Sequence, residues 1–172
     1  MYTLQKVKNN RLYKREFEVM GEFLILLKVE AVVKNIGYNF HLFYRDGKKP
    51  PLDIAINPNN LTIEYISFFL QDEHIKIKQN SPDIKFYNDR LCLFSDDLSI
   101  DNNSLNFIKA FEISLVKNDL IAIENGYKGE IFAYQVFDSN YILMNKENNI
   151  IGFDFKNIST IEMENLKDTK VI

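Results

Sequence analysis

The sequence has one cysteine, two histidines and no tryptophan, and these shortages exclude several kinds of site. Cys92 cannot form an internal disulfide, and its neighbours Leu91 and Leu93 indicate a buried strand position rather than an activated nucleophile. His41 and His74 lie in separate segments, and no cluster with the spacing of metal ligands accompanies either one. We therefore predict neither a metal site nor a cofactor.

Long apolar runs and phosphate-binding loops are missing as well. The most apolar run, Phe23–Leu27, is closed by Lys28 and is too short for a secretory signal or a membrane span. Residues 126–129 lack the spacing and the strand-to-helix context of a phosphate-binding loop, and no motif of a serine hydrolase, a zinc protease or an EF-hand occurs. These absences predict a cytoplasmic protein without membrane contact and favour a non-catalytic role.

The abundant residues favour strands. The chain has 14 Phe and 9 Tyr residues, and a count along it gives 21 Ile and 20 Asn but only 5 Ala. Alanine is the best helix former, whereas β-branched and aromatic side chains suit a pleated sheet. The bias towards Ile, Asn and Lys is also typical of an AT-rich genome, and therefore of a bacterial origin.

Short runs of alternating polarity define the strands expected in the first half. Phe40–Tyr44, Leu52–Ile56 and Leu61–Tyr65 are separated by turns rich in Asp, Gly, Asn and Pro, which predicts an antiparallel meander. Residues 66–70 continue in the opposite phase, which either a bulge or a short helix explains. Residues 76–78 alternate Lys, Ile and Lys, as in an edge strand that avoids pairing with other chains.

The second half repeats this pattern, with five strands expected between residues 109 and 156. Two pairs of segments also recur in the same order along the chain. Residues 32–35 resemble 115–118, and residues 56–60 resemble 144–148. The recurrence indicates either a pseudo-repeat or a chance recurrence of Asn-rich turns.

We expect residues 1–172 to form a single compact domain, because a chain of this length buries a sizeable core. Within it, the halves 20–80 and 105–167 are joined by an irregular acidic segment, 81–104. Residues 1–20 combine helical spacing with several bases, so one short basic helix is allowed there. The predicted fold is mainly β, with antiparallel meanders that form a sandwich or two packed half-barrels, pseudo-repeated if the recurring segments are related, and at most one or two short helices.

Charge is unevenly distributed along the chain. The net charge is −3, from 21 basic and 24 acidic residues. Five bases and no acid fall in the first fifteen residues, so the remainder has 16 bases against 24 acids, or −8. An acidic body argues against a nucleic-acid-binding surface and favours a basic protein partner. The candidate contact residues for such a partner are Asp72, Glu73, Asp96, Asp97 and Asp101.

These properties predict a surface that binds another protein rather than a catalytic site. We expect a non-catalytic protein-binding module of a bacterial cytoplasm, most concretely an immunity protein that neutralises a toxin, because an acidic protein can steer towards and cover a basic toxin site. One alternative is a small hydrolase whose carboxylates converge only in the fold. Another is an RNA-associated β protein anchored by its basic N-terminus. A homodimer is a further alternative, because exposed strand edges can pair with a second copy of the chain.

Overall fold

A computed structural model of the chain describes four stretches of residues: 2–6, 10–88, 91–95 and 103–172. The predicted contact residues Asp96, Asp97 and Asp101 lie outside the described residues. Within the four stretches, no helix is long and apolar enough to cross a membrane.

Strands account for most of the regular structure. In chain order they are β1 Tyr2–Lys6, β2 Tyr13–Gly21, β3 Leu24–Ala31, β4 Phe40–Arg45, β5 Leu52–Ile56, β6 Ile63–Gln71, β7 Lys76–Lys78, β8 Ile84–Tyr87, β9 Leu91–Ser95, β10 Ser104–Ile108, β11 Phe111–Val116, β12 Asp119–Glu124, β13 Ile131–Phe137, β14 Asn140–Met144 and β15 Ile150–Phe155. The helix α1 spans Thr160–Asp168, and Ser159 and Glu162 form a capping box at its start.

One sheet contains six strands in the order β10-β4-β5-β6-β3-β2. Its consecutive strands β4, β5 and β6 are antiparallel, which confirms the meander predicted for the first half. The edge strand β10 pairs parallel with β4. At the opposite edge α1 covers part of β2, where the Asn165 side chain donates a hydrogen bond of 2.8 Å to the Phe17 carbonyl. This contact satisfies an edge carbonyl that would otherwise be open to another chain.

The second sheet contains seven strands in the order β7-β11-β12-β15-β14-β13-β8. The five strands predicted between residues 109 and 156 are confirmed, but β12 pairs with β15 rather than with β13. The Lys-Ile-Lys strand β7 lies at the edge of this sheet, as predicted. The strands β1 and β9 pair with each other in a separate two-stranded antiparallel sheet.

The seven-stranded sheet is curled rather than flat. Its two edge strands, β7 and β8, are joined by residues 79–83 alone, and a chain of that length reaches at most about 20–22 Å. A flat sheet of seven strands would separate its edges by about 29 Å, because neighbouring strands lie about 4.8 Å apart. The concave face holds a second, smaller core of buried side chains: Val116, Ile121, Ile131, Ala133, Tyr141, Leu143 and Ile151.

The main core lies between the two sheets. Phe68 meets the edge of Phe153 at 5.2 Å between ring centroids, and Phe17 contacts Phe155 at 6.4 Å. Aliphatic side chains from both sheets complete the core, among them Ile25, Leu27, Leu42, Ile54, Ile66, Leu70, Leu120, Ile142 and Met144. This face-to-face packing makes the protein a β sandwich with one short helix in its described part, which confirms the predicted fold class.

The basic helix allowed within residues 1–20 is wrong for residues 13–20, which belong to strand β2. A spacing of four residues places Tyr13 and Phe17 on one face of a helix, but it also places them on one face of a strand, where side chains alternate. Burial decides between the two structures. Tyr13 and Phe17 enter the core, whereas Lys14 and Glu16 between them are exposed.

A bulge causes the phase change that the sequence shows near Tyr65, and the alternative of a short helix is wrong. Strand β6 runs unbroken through this segment. Ala55 of β5 pairs with Tyr65, whereas the next residue, Ile56, pairs with Ile63. Glu64 is therefore the extra residue on β6 that opposes no partner on β5.

The recurring segments share one turn and differ elsewhere. Asn57 and Asn145 open the turns β5–β6 and β14–β15, and each side chain accepts a hydrogen bond from the backbone N–H two residues later, at 2.9 and 3.1 Å. Residues 115–118 include the tight β11–β12 turn, whereas residues 32–35 begin the longer connection from β3 to β4. The segment 81–104, expected to be irregular, contains strands β8 and β9.

Candidate functional site

The bulge residue Glu64 organises one end of the sandwich. Its side chain is 3% exposed and accepts hydrogen bonds from Arg11 Nη1 at 2.6 Å, from Asn57 Nδ2 at 3.2 Å and from the backbone N–H of Asn35 at 3.2 Å. Burial alone would raise the pKa of Glu64, but these donors, Arg11 above all, hold it below its ordinary value. One buried, ionised carboxylate thus joins strand β6 to three neighbouring segments.

Arg11, the partner of Glu64, also holds the neighbouring connections at this end of the sandwich. Its guanidinium donates hydrogen bonds of 2.8 Å to the carbonyl of Val33 and to the hydroxyl of Thr62. The backbone N–H of Val32 also donates to the carbonyl of Leu12 at 2.9 Å. The connection from β3 to β4 is therefore tied to the residues that precede β2.

These connections present an exposed apolar surface. Five large apolar side chains of this end are exposed, and together they define the end surface: Leu12, Val32, Val33, Ile36 and Tyr38. Their exposed fractions run from 53% for Val32 to 103% for Ile36. Single exposed apolar residues are ordinary, but Leu12, Val33 and Ile36 border one shallow depression together. Grouped exposed apolar side chains of this kind are typical of protein-binding sites.

The predicted contact residues Asp72 and Glu73 lie at the opposite end of strand β6. The strand begins at Ile63 and ends at Gln71, which separates the two ends by about 26 Å at about 3.3 Å per residue. The carboxylate of Glu73 forms an ion pair with Lys49, whereas Asp72 is exposed. The structure therefore does not bring this acidic pair together with the end surface.

A polar group of three side chains lies on the outer face of the six-stranded sheet. His41 Nδ1 is 2.9 Å from one Asp53 oxygen, and the Tyr65 hydroxyl donates to the other at 2.7 Å. Burial, with the Asp53 charge beside it, raises the pKa of Tyr65 and keeps it a neutral donor. Asp53 orients the imidazole as in a general-base site, but no hydroxyl or thiol of the described residues bonds to His41 as a nucleophile would.

A second buried carboxylate, Asp154, lies on the concave face of the seven-stranded sheet. Its side chain has no exposed surface, and neither oxygen accepts a hydrogen bond. The Lys156 ammonium lies 3.3 Å from it and 3.1 Å from Asp119, so one cation faces two carboxylates. Burial raises the pKa of Asp154 to about 6, although Lys156 opposes part of that effect. A carboxylate with no exposed surface cannot contact a substrate in this conformation.

Metal ligands do not converge in the part of the chain that the structure describes. No group of three or more His, Cys, Asp or Glu side chains there has an arrangement that could hold an ion. His74, for example, packs against the edge of Phe23 at 6.4 Å between ring centroids.

Two arginines of the basic N-terminal segment bind acids of the body. Arg11 binds Glu64, and Arg15 binds Glu162 of α1 with Nε to Oε1 at 2.7 Å. The two arginine side chains are only 19% and 11% exposed. These contacts favour a structural role for both residues over binding to phosphate groups.

The pattern of the sequence did not reveal the end surface. Val32, Val33 and Ile36 are apolar residues in a connection that also contains Asn35 and Gly37. Connections are normally polar, so apolar residues there were the available signal. Exposure, which sequence patterns do not report, distinguishes them from core residues.

No protein-family model matches the chain, and comparison with curated proteins finds no match either. The function must therefore be inferred from the residues themselves.

Proposed function

We propose that the protein is a non-catalytic protein-binding module and that the end surface is its contact. The exposed apolar side chains of the end surface, held by the buried Glu64 network, carry this proposal. Apolar and aromatic anchors such as Tyr38 and Ile36 supply most of the binding energy at protein interfaces. Since the hydrogen bonds of Arg11 and Glu64 fix the connection beforehand, less conformational entropy is lost on binding.

The more specific proposal is an immunity protein of a bacterial cytoplasm that neutralises a basic toxin domain. The charge of −8 that remains outside the first fifteen residues supports it, because an acidic body raises the rate of encounter with a basic partner. The end surface then provides the anchors, and the acidic residues Asp72, Glu73, Asp96, Asp97 and Asp101 contribute mainly to steering.

Affinity capture tests the proposal directly. The tagged protein is expressed together with the products of the adjacent genes, captured from lysate, and its partners are identified by mass spectrometry. The proposal expects one basic protein in stoichiometric amount that is toxic when expressed alone. Repeated captures without any such protein would contradict it.

Two matched substitutions locate the contact. Ile36→Asp places a charge in the centre of the end surface, and Ile108→Asp places the same charge at an equally exposed isoleucine of β10, 94% exposed at the other end of the sheet. Because both side chains lie outside the core, neither change should unfold the protein. We expect Ile36→Asp to weaken capture at least about tenfold, the usual scale of a lost hot-spot residue, and Ile108→Asp to leave it unchanged.

The same variants distinguish two other outcomes: a partner that binds at the acidic residues, and a second copy of the protein that binds at the end surface. If Asn in place of Asp96, Asp97 and Asp101 abolishes capture while Ile36→Asp does not, the partner binds at the acidic residues and the end surface is not the contact. Sedimentation of the purified protein reveals whether a second copy occupies the surface. A dimer that Ile36→Asp dissociates would make the protein its own partner.

The hydrolase alternative needs two carboxylates that are open to a substrate. Among the described residues, Glu112 and Glu124 line one cavity of the seven-stranded sheet, but lysines bind both carboxylates, at 2.6 and 2.8 Å. Asp119 and Asp154 are held together through Lys156, but Asp154 has no exposed surface. The binding module is therefore the function that the geometry supports best.

A further inference from the structure

The curled sheet encloses a cavity that the proposed function does not use. The cavity has a volume of about 450 Å³ and lies on the concave face of the seven-stranded sheet, under the connection formed by residues 79–83. Its size falls within the range of pockets that bind small molecules, roughly 300–1,000 Å³. The cavity lies on the opposite side of the seven-stranded sheet from the main core, so a molecule can enter it without disturbing the sandwich.

The floor of the cavity is apolar and rigid. Val116, Ile121 and Ile131 line it, and all three belong to the buried second core. Tyr127 closes one side, where its hydroxyl donates to the Glu130 carbonyl at 2.9 Å. An alkyl or aryl group that covered these side chains would remove apolar surface from water.

The cavity exists because strand β11 contributes short or polar side chains to the concave face. Ser114 pairs with Ile121 across the strands, and Glu112 pairs with Ile123. Neither Ser114 nor Glu112 fills the space that an isoleucine or phenylalanine would occupy. Ser114 is 7% exposed and lines the cavity, so its hydroxyl is available to a ligand there. A serine hydroxyl can donate one hydrogen bond and accept others.

The rim at β7 has an excess of positive charge. Lys76 and Lys78 both bind Glu112, each at 2.6 Å, so two ammonium groups share one carboxylate. The hydrogen bonds from these lysines lower the pKa of Glu112 to about 2, which keeps it ionised at neutral pH. Since Lys76 alone neutralises Glu112, Lys78 can bind a second anion. This excess selects an anionic ligand over a cationic one.

Two other acids near the cavity, Glu124 and Glu130, have lysine partners of their own. Glu124 binds Lys109 at 2.8 Å, and Glu130 binds Lys85 at 2.7 Å. Those two pairs are neutral, and Asp83 of the covering connection lies near the charge of Lys85. The excess of positive charge is therefore at the β7 rim, where two lysines meet one glutamate. An acceptor head group is therefore drawn to Lys78 and Ser114, while an apolar body covers the floor.

We propose that this cavity binds a small amphipathic carboxylate, an acyl or aryl acid whose carboxylate meets Lys78 and Ser114 and whose apolar part lies on Val116, Ile121 and Ile131. The site is independent of the end surface, and ligand binding there requires no protein partner. The protein would then bind a small metabolite in the cavity as well as a protein partner at the end surface.

Three eight-carbon probes separate the contributions of charge and of apolar contact. Octanoate, octylammonium and 1-octanol are titrated into the full-length protein and followed by the methyl NMR signals of Ile121 and Ile131. We expect octanoate to shift these signals in a saturable manner and to bind about tenfold more tightly than octanol, as one charge-assisted hydrogen bond provides. Octylammonium should bind most weakly of the three. Equal binding of octanoate and octylammonium, or octanoate shifts confined to other residues, would overturn the proposal.

A charge reversal at the rim supplies the matched control. Lys78→Glu should weaken octanoate at least about tenfold and improve octylammonium, because the rim changes from an excess of cations to an excess of anions. Lys14→Glu makes the same change at an exposed lysine of β2, in the other sheet, and should leave both affinities within about twofold. Lys78→Gln, which only removes the charge, should fall between the parent and Lys78→Glu. The same octanoate affinity in all four proteins would contradict the assigned site.

Discussion

Arg15 of β2 and Glu162 of α1 form a two-pronged ion pair, with Nε to Oε1 at 2.7 Å and Nη2 to Oε2 at 2.8 Å. Glu162 also completes the capping box, because its Oε2 accepts the Ser159 backbone N–H at 2.8 Å. Arg15 in turn donates to the carbonyl of Lys156 at 2.9 Å. One ion pair therefore joins an edge strand, the start of the helix and the end of β15.

We expect Arg15→Ala to destabilise the protein by about 3 kcal/mol, because it leaves Glu162 nearly buried without a cation. Urea unfolding at neutral pH measures this change. Lys170→Ala removes the partner of Glu22 in an ion pair whose side chains are both about 60% exposed, and it should cost less than about 1 kcal/mol. Similar losses for the two variants would show that Arg15 contributes no more than a surface lysine.

Removal of the Glu64 carboxylate should loosen the end surface before it unfolds the protein. Glu64→Ala leaves Arg11 without its buried carboxylate and the Asn35 N–H without an acceptor, so we expect a loss of about 3 kcal/mol. Hydrogen exchange should accelerate most at residues 32–38. The comparison variant is Glu16→Ala, an exposed glutamate of β2, for which no such acceleration is expected.

A side chain at Gly152 should not be tolerated. The glycine has a φ of +155°, and a Cβ there would lie 1.8 Å from the carbonyl oxygen of Ala122 in the neighbouring strand. Because that obstacle is backbone, Gly152→Ala should cost more than about 4 kcal/mol or prevent folding. Gly21→Ala meets no atom within 4 Å and should change stability little. Expression as soluble protein followed by denaturant unfolding distinguishes the two, and a stable Gly152→Ala protein would refute the β12–β15 packing.

The buried Asp154 should make the fold more stable at mildly acidic pH than at neutral pH. Its pKa is raised to about 6, mainly by burial, whereas an unfolded chain has an aspartate pKa of about 3.9. The folded state therefore binds the proton more tightly, and the charged form costs on the order of 3 kcal/mol above pH 6. The free energy of unfolding therefore rises as the pH falls from about 7 to about 4, because Asp154 becomes protonated in the folded state.

Asp154→Asn removes the titrating group and tests this expectation. The stability gained by the variant over the parent protein should be larger at pH 7.5 than at pH 4.5, by roughly 2 kcal/mol. Urea unfolding at both values measures the difference. Asp168→Asn, at an exposed position of α1, should alter both conditions equally. A parallel pH dependence in the parent and in Asp154→Asn would rule out Asp154 as the source.

Local patterns predicted most of the strands. Alternation placed Phe40–Tyr44 and Leu52–Ile56 correctly, because a strand with one buried face has a period of two that is visible in the residues themselves. Spacing alone gave the wrong prediction, a helix, at Tyr13 and Phe17, because a spacing of four residues fits both a helix and a strand. No local pattern predicts that β12 pairs with β15, since strand order depends on contacts between residues far apart in the chain.

The sequence by itself determined a mainly β domain and its turns, because these follow from the polarity and conformational preferences of neighbouring residues. Only the tertiary structure decided that Glu64 is buried beside Arg11, that Asp72 and Glu73 lie far from the exposed apolar side chains, and that the seven-stranded sheet curls around a cavity. Each of these depends on which distant segments meet, and a carboxylate acquires its role from the groups that surround it rather than from its neighbours in the chain.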